Sequence, residues 1–147
     1  MTKRILVPLD QSPLAESVLS LVADVARGAG ATVRLLHVTP VPGNVEVDGR
    51  VVAYADQEMA RLEAEGKDHL QSMEVRLAGV PVECVVRFGT DVREILLEAE
   101  AFGADLIAVT TAGRSGVGRA VLGSVAEQVF RKATLPVLLY RAGDRGE

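Results

Sequence analysis

Residues 105–124 decide the fold class of this chain: Asp105-Leu-Ile-Ala-Val109-Thr-Thr-Ala-Gly-Arg-Ser-Gly-Val-Gly-Arg-Ala-Val-Leu-Gly-Ser124. The segment begins with a short apolar run rich in β-branched residues, which is typical of a buried strand. Directly after it, residues 125–132 carry apolar side chains at helical spacing. A loop with four glycines therefore joins a predicted strand to the start of a predicted helix.

This glycine loop predicts a site for an anionic ligand. Unpaired N–H groups at a helix N-terminus carry partial positive charge, and glycine lets a phosphate approach the backbone without an intervening Cβ. Arg114 and Arg119 add two positive charges to the same loop. The alternative is an unoccupied connection, because glycine-rich loops between strands and helices are common.

The rest of the chain alternates between strand and helix patterns. Apolar runs predict strands at 4–9, 31–38, 80–88 and 135–140, besides the one at 105–109. Amphipathic patterns predict helices at 13–27, within 52–78, at 90–102 and at 125–132. We expect the long second helix to break near Gly66, and residues 39–49 to form a loop punctuated by proline and glycine.

Five strands alternating with four helices predict a doubly wound α/β fold. The expected structure is a single five-stranded parallel sheet in the order 3-2-1-4-5, with helices on both faces. Ligands of such sheets bind beyond the carboxyl ends of the strands, where the strand order reverses. Asp10, at the end of the first strand, is therefore predicted to face the Gly113 loop across a crevice.

The composition of the 147 residues narrows the function further. A net charge of −4 without a basic stripe argues against nucleic acid as a partner. The single cysteine excludes an internal disulfide, and two histidines are too few for a metal site. The sequence has neither an apolar run long enough to cross a membrane nor a signal-peptide pattern, so we expect a cytoplasmic protein that does not bind membranes.

The phosphate-binding motifs known from other doubly wound folds do not match this sequence. The nearest approach to a dinucleotide fingerprint begins at Gly116, lacks the third glycine and does not follow the first strand. A Walker A lysine is absent, and Asp10 stands without the second acid that a phosphoacceptor receiver needs. The serine–glycine–glycine loop of the ATP-pyrophosphatase enzymes is also absent after the first strand, which weakens an enzymatic interpretation.

Four segments together resemble the universal stress protein family, and the resemblance covers essentially the whole chain. They are the first strand ending in Asp10, the second strand ending in His37-Val38, Gly113 and Gly123 separated by nine residues and followed by Ser124, and the closing segment 135–139. The resemblance implies one domain over 1–141. Residues 142–147 lack apolar periodicity, and we expect them to form a disordered tail.

The resemblance implies ATP as ligand, alone or with Mg²⁺, and a role for each matching residue. Asp10 would lie near the adenosine and the backbone of Val38 would meet adenine. Val109 and Thr110 would border the ribose and α-phosphate, and the glycine loop with the start of the following helix would hold the phosphates. The predicted contact residues are Pro8, Leu9, Asp10, Val38, Val109, Thr110, Gly113, Arg114, Gly123, Ser124 and Val125.

The sequence departs from the family motif at its first glycine, where this chain has Thr110. A β-branched residue is bulkier than glycine and tolerates positive φ poorly. Its hydroxyl could instead donate to a phosphate, and the sequence leaves both outcomes open. Elsewhere, we expect His37 at the rim of the pocket, His69 on the surface, and Cys84 as a small buried apolar residue.

These features favour an ATP-binding regulatory module of the stress response that acts as a homodimer. No serine has a recognisable base partner, so we predict no catalytic residue and at most slow hydrolysis. The family commonly dimerises through its last strand, and residues 137–140, from Val137 to Tyr140, would form an apolar edge if unpaired. Alternatives are an interaction or scaffold protein with an empty pocket, a binder of cyclic AMP, and a hydrolase or kinase-like enzyme.

Overall fold

The computed structural model describes residues 2–111 and 124–141, except for the side chains of Val45, Val52, Ala53 and Ser124. Within these ranges the strands are β1 (Arg4–Pro8), β2 (Thr32–Thr39), β3 (Val45–Val47), β4 (Arg50–Ala53), β5 (Val82–Phe88), β6 (Leu106–Thr111) and β7 (Val137–Arg141). The helices are α1 (Pro13–Glu16), α2 (Leu19–Ala29), α3 (Ala55–Ser72), α4 (Asp91–Phe102) and α5 (Ser124–Lys132), and a 3₁₀ turn covers Glu74–Leu77.

Five strands form one parallel sheet in the order β5-β2-β1-β6-β7. Its register places Ile5 opposite Val33 on one side and Leu106 on the other. The predicted order is confirmed, because the extra hairpin β3–β4 changes only the numbering of the later strands. The strand order reverses at β1, which lies between β2 and β6.

Two apolar layers cover the faces of the sheet, because successive side chains of a strand point to opposite sides. On one face, Val7 and Leu35 pack with Val22 of α2 and Leu70 of α3. The other layer combines side chains of β1, β2 and β6 with those of α4 and α5: Leu6, Leu36, Ile107, Val109, Ile95, Ala99, Ala126 and Val129. Apart from Phe102 in the second layer, the buried side chains of both layers are aliphatic.

The first predicted helix is divided into α1 and α2. Ser12 caps α1 by accepting a hydrogen bond from the backbone N–H of Ala15 at 3.0 Å. The Ser17 hydroxyl donates to the Leu14 carbonyl at 2.5 Å and competes with the helical backbone bonds there. The helix resumes at Leu19 and ends at Gly30, whose φ of 68° is left-handed.

The prediction of an irregular loop through residue 49 was incomplete. Strands β3 and β4 pair as an antiparallel hairpin. Asp48 and Gly49 form its two-residue turn with φ values of 53° and 75°, which is the conformation of a type I′ turn. The following helix, α3, consequently begins at Ala55 rather than near residue 52.

The predicted break of the long helix at Gly66 was wrong. Helix α3 continues through Gly66, which is buried against the sheet. A Cβ at this position would lie 3.0 Å from Val86 Cγ2 and 3.1 Å from His37 Cδ2. The glycine therefore permits close approach of α3 to β2 and β5, and this packing outweighs its low helix propensity.

Among the helices of the two described ranges, none has the length and apolar character needed to cross a membrane.

Candidate functional site

A cavity of about 130 Å³ opens at the carboxyl ends of β1, β2 and β6, where the strand order reverses. This is the position at which doubly wound sheets bind their ligands. Helices α1, α4 and α5 complete its walls. The lining residues are Pro8, Leu9, Asp10, Ala15, Leu36, Val38, Asp91, Ile95, Val109, Thr110, Val125 and Ala126.

The structure brings most of the predicted site residues to this cavity. Those that line it are Pro8, Leu9, Asp10, Val38, Val109, Thr110 and Val125. Ser124 is the first residue of α5 and directly precedes Val125. Gly113, Arg114 and Gly123 lie outside the described residues, so the phosphate contacts assigned to them remain predictions.

The cavity has two chemically different ends. We call the part formed by Leu36, Val38, Asp91 and Ile95 the α4 end, because α4 packs against β1 and β2. We call the part formed by Val109, Thr110, Val125 and Ala126 the α5 end, because α5 packs against β6 and β7. Each end lies beside the N-terminus of a helix, but at the α4 end Asp91 places a negative charge there beside an aliphatic wall, whereas no acidic residue is among the described lining residues of the α5 end. The α5 end is therefore the one where backbone N–H groups favour an anion.

Asp10 lies between these two ends, in a tight turn that leads from β1 into α1. Its Oδ1 accepts a hydrogen bond from the backbone N–H of Ser12 at 3.0 Å. Gln11 between them has a left-handed φ of 70°. The turn leaves Asp10 exposed at the cavity, where its other carboxylate oxygen is a hydrogen-bond acceptor for a ligand.

Thr110 takes part in a hydrogen bond within the protein. Its Oγ1 donates to the carbonyl of Ala15 at 3.1 Å and so links the end of β6 to α1. A hydroxyl has one proton to donate, so a contact from this hydroxyl to a phosphate would require breaking the link. The geometry favours Thr110 as a wall of the cavity over Thr110 as a phosphate donor.

Sequence reasoning missed five of the residues that line the cavity: Ala15, Leu36, Asp91, Ile95 and Ala126. Ile95 is 2% exposed, as an apolar residue on the inward face of the amphipathic helix predicted at 90–102 should be. The same helical pattern places Asp91 at the start of the helix and does not indicate that it belongs to a site. The sequence does not tell which helix covers the end of β2, because this depends on the tertiary path of the chain. Asp91 and Ile95 could therefore not be assigned to the cavity from the sequence.

Helix α4 is fastened to the sheet by a buried carboxylate. The Glu98 side chain is only 5% exposed and accepts hydrogen bonds from Arg34 Nη1 at 2.5 Å and from Arg87 Nε at 2.7 Å. Arg87 also pairs with Glu94 at 2.9 Å. The hydrogen bonds to Glu98 and Glu94 raise the pKa of the Arg87 guanidinium above its usual value. This cluster connects β2, β5 and α4 and fixes the helix that carries Asp91.

The histidines lie on the other face of the sheet. His37 packs on Gly66, and its Nδ1 lies 3.3 Å from the Leu9 carbonyl oxygen. It does not line the cavity, although the sequence placed it at the rim. His69 is partly exposed, with 31% of its side chain accessible, and it also has a partner that the sequence did not predict. Its Nε2 lies 2.8 Å from Oε2 of Glu16, which is 6% exposed. No cluster of three or more metal-ligating side chains occurs within 2–111 and 124–141.

Cys84 is partly exposed and not fully buried as expected. Its Sγ donates to Oε2 of Glu74 at 3.4 Å. Burial and the neighbouring carboxylate raise the pKa of this thiol to about 12. The thiolate is therefore scarce at neutral pH, which makes Cys84 a poor nucleophile.

These observations define a doubly wound α/β domain whose ligand cavity lies at the reversal of strand order. The model of the universal stress protein family matches residues 1–141. The universal stress protein YxiE of Bacillus subtilis is 30% identical over 148 residues, covering 96% of this chain and all of the relative. The chain belongs to the universal stress protein family.

Solved structures agree with this assignment. The structure of protein MJ0577, a universal stress protein of Methanocaldococcus jannaschii, superposes with a TM-score of 0.77 at 29% identity and covers 96% of both chains. A universal stress protein in complex with cAMP has a TM-score of 0.65 at 18% identity, covering 96% of this chain and 98% of its own. One from Archaeoglobus fulgidus in complex with dAMP has a TM-score of 0.60 at 20% identity, covering 95% and 97%.

Proposed function

We propose that this chain binds an adenine nucleotide, ATP together with Mg²⁺, and that nucleotide binding regulates its role in the stress response. The observation that carries the proposal is the cavity at the reversal of strand order, with an aliphatic wall at its α4 end and, at its α5 end, a helix N-terminus where the described lining residues include no acid. An aliphatic wall suits a base, and a helix N-terminus suits phosphate. In this proposal a single nucleotide reaches from the α4 end to the α5 end.

The chemistry of the two ends of the cavity favours one orientation of ATP. Adenine packs at the α4 end against Leu36, Val38 and Ile95, and the ribose hydroxyls donate to the Asp10 carboxylate. The phosphates then extend past Thr110 toward Ser124 and Val125. In this proposal Gly113, Gly123 and Arg114 supply the remaining phosphate contacts, as the sequence predicts.

The complexes of related proteins with cAMP and dAMP support adenine recognition and leave the number of phosphates open. Both ligands share the adenine and a single phosphate. The Thr110 side chain, which is bonded to the Ala15 carbonyl, stands where the family motif has a glycine and lies on the proposed course of the phosphates. This contact favours a second candidate, a binder of an adenine nucleotide with one phosphate such as cAMP.

We propose a regulatory module and not an efficient enzyme. Within the described residues, no histidine lines the cavity. Of the two carboxylates that line it, Asp10 is assigned to the ribose, and Asp91 lies at the α4 end, away from the proposed phosphates. A general base must be within hydrogen-bond reach of the proton it removes. We therefore expect at most slow hydrolysis of ATP.

We further propose a cytoplasmic homodimer that forms through β7. This strand lies at one edge of the sheet. The backbone groups on its outer side are available to pair with a second copy. Analytical ultracentrifugation at several concentrations, combined with hydrogen exchange of residues 137–141, tests the proposal. We expect a dimer and protected amides at 137–141; a monomer with rapidly exchanging outer amides would contradict it.

A thermal-unfolding titration with Mg²⁺-ATP tests the ligand. ATP at 100 times its dissociation constant adds about 2.7 kcal/mol to the free energy of unfolding. For a domain of this size the midpoint should rise by roughly 5–10 °C. Asp10→Asn is the matched variant, because the amide oxygen retains the Ser12 contact while the charge is lost, and it should reduce the shift. No shift with ATP or cAMP would refute nucleotide binding, and a shift with cAMP alone would favour the second candidate.

A further inference from the structure

Helix α1 forms part of the cavity wall and is also held by a helix on the other face of the sheet. Toward the cavity, the Ala15 carbonyl accepts the hydrogen bond from the Thr110 hydroxyl at 3.1 Å, and both residues line the cavity. Away from it, Oε2 of Glu16 lies 2.8 Å from Nε2 of His69 on α3. A single turn of helix thus joins the cavity wall to the imidazole of α3.

The Glu16 carboxylate depends on this imidazole. Glu16 is 6% exposed, and within residues 2–111 and 124–141 no other side chain donates a hydrogen bond to its carboxylate. Nε2 of His69 donates in the charged imidazole and in one of its two neutral tautomers. A buried carboxylate without a donor is strongly disfavoured, so loss of His69 favours positions of α1 in which Glu16 reaches water.

Helix α1 cannot hold its position by its own hydrogen bonds. It has four residues, Pro13–Glu16, and isolated helices of this length are not stable in water. The bond from the Ser17 hydroxyl to the Leu14 carbonyl marks the end of this turn, before α2 begins. Arg76 adds a contact at 3.3 Å, but it donates to the Glu16 carbonyl oxygen and leaves the carboxylate to His69.

We propose that His69 is a positioning residue of the nucleotide site, which acts through Glu16 to keep α1 against the cavity. This inference rests on the proposed nucleotide function and adds to it a residue that controls the cavity wall from outside the cavity. When α1 moves away, Ala15 no longer forms the wall and its bond to Thr110 is lost. A ligand that requires α1 in place then binds with an apparent dissociation constant raised by the inverse of the fraction of molecules in which α1 is in place.

The first test measures the dissociation constant of Mg²⁺-ATP by isothermal titration calorimetry, at a temperature at which every variant is fully folded. His69→Ala should raise this constant by about three- to tenfold, because the carboxylate loses its donor while the Arg76 contact remains. His69→Gln offers an amide N–H near the position of Nε2 and should restore most of the affinity. Lys67→Ala is the control, because Lys67 is exposed on the same helix and pairs with Glu63 of that helix at 3.4 Å; it should bind ATP as wild type does.

A double variant tests whether His69 acts through Glu16. Glu16→Gln replaces the charged acceptor with an amide, whose burial costs less. If the carboxylate carries the effect, the variant with both His69→Ala and Glu16→Gln should bind ATP no more weakly than His69→Ala alone. The amide chemical shifts of Ala15 and Thr110, recorded by NMR without ligand, should change in His69→Ala and return to their wild-type values in His69→Gln.

The outcomes separate this inference from the proposed function. Wild-type affinity in His69→Ala would overturn the inference and leave nucleotide binding intact. A His69→Gln variant as weak as His69→Ala, or losses at the two positions that simply add, would overturn it as well. If wild type binds neither ATP nor cAMP, the proposed function fails, and unchanged Ala15 and Thr110 shifts in ligand-free His69→Ala would then show that His69 does not hold α1.

Discussion

Replacing Glu98 with glutamine should destabilise the fold far more than the same change at its neighbour Glu83. Glu98 is 5% exposed at the side chain and accepts hydrogen bonds from Arg34 and Arg87. Removing one partner of a buried ion pair costs about 3–5 kcal/mol. The arginines here are 22% and 28% exposed and keep Glu83 and Glu94 as further partners, so partial solvation reduces the loss to about 2–3 kcal/mol.

This loss corresponds to a fall of the melting temperature by roughly 4–12 °C for a domain of this size. Glu83→Gln is the matched control, because Glu83 contacts the same Arg34 but is 49% exposed, and it should cost at most about 1 kcal/mol. Urea unfolding followed by circular dichroism gives both free energies. Equal losses in the two variants, or a loss below that of Glu83→Gln, would refute the assignment of Glu98 as the attachment point of α4.

Three further predictions concern the packing and chemistry around the sheet. Gly66→Val should lower the free energy of unfolding by about 1–3 kcal/mol, because the new side chain overpacks against the sheet. Gly28→Ala, where a Cβ meets open space, should raise it by up to about 1 kcal/mol. Urea unfolding measures both free energies. Thr110→Val should lose about 1 kcal/mol relative to Thr110→Ser, which retains the hydroxyl bond to α1, in the same assay. Cys84, with its pKa raised to about 12, should react slowly with a thiol reagent at pH 8 and rapidly after unfolding.

Each of these predictions has a contradicting result. Unchanged stability in Gly66→Val would mean that α3 does not require close approach to the sheet. A valine at position 110 as stable as serine would remove the energetic role of the hydrogen bond to Ala15. A native thiol that reacts as fast as the unfolded one would contradict the raised pKa at position 84.

The strand order was predictable because it depends on signals local in sequence. Apolar runs of strand length, separated by helical patterns, leave few topologies once crossovers are right-handed. The hairpin turn also had a local signal, Asp48-Gly49, but it lay inside a stretch with weak alternation and was missed. The error at Gly66 has a different cause, since helix propensity does not report the sheet packed against the glycine.

The candidate site was predictable where the ligand cavity is made of strand ends. Asp10 follows from the rule that ligands bind at the reversal of strand order, whereas Val38 and Val109 were predicted from the resemblance to the family. Asp91 was missed because its position depends on which helix covers β2. The pairing of His69 with Glu16 was also missed, since it joins residues 53 positions apart on two helices.

We propose above that an adenine nucleotide occupies the cavity at the ends of β1, β2 and β6. Amide chemical shifts of the ¹⁵N-labelled chain, recorded by NMR while Mg²⁺-ATP is added, test it most directly. We expect the largest shifts among the described residues at Leu9, Asp10, Val38, Thr110 and Val125. Shifts that are absent at saturating ATP, or that cluster at the β3–β4 hairpin or at groove residues that do not line the cavity, such as Arg93, Glu100 and Gln128, would contradict it.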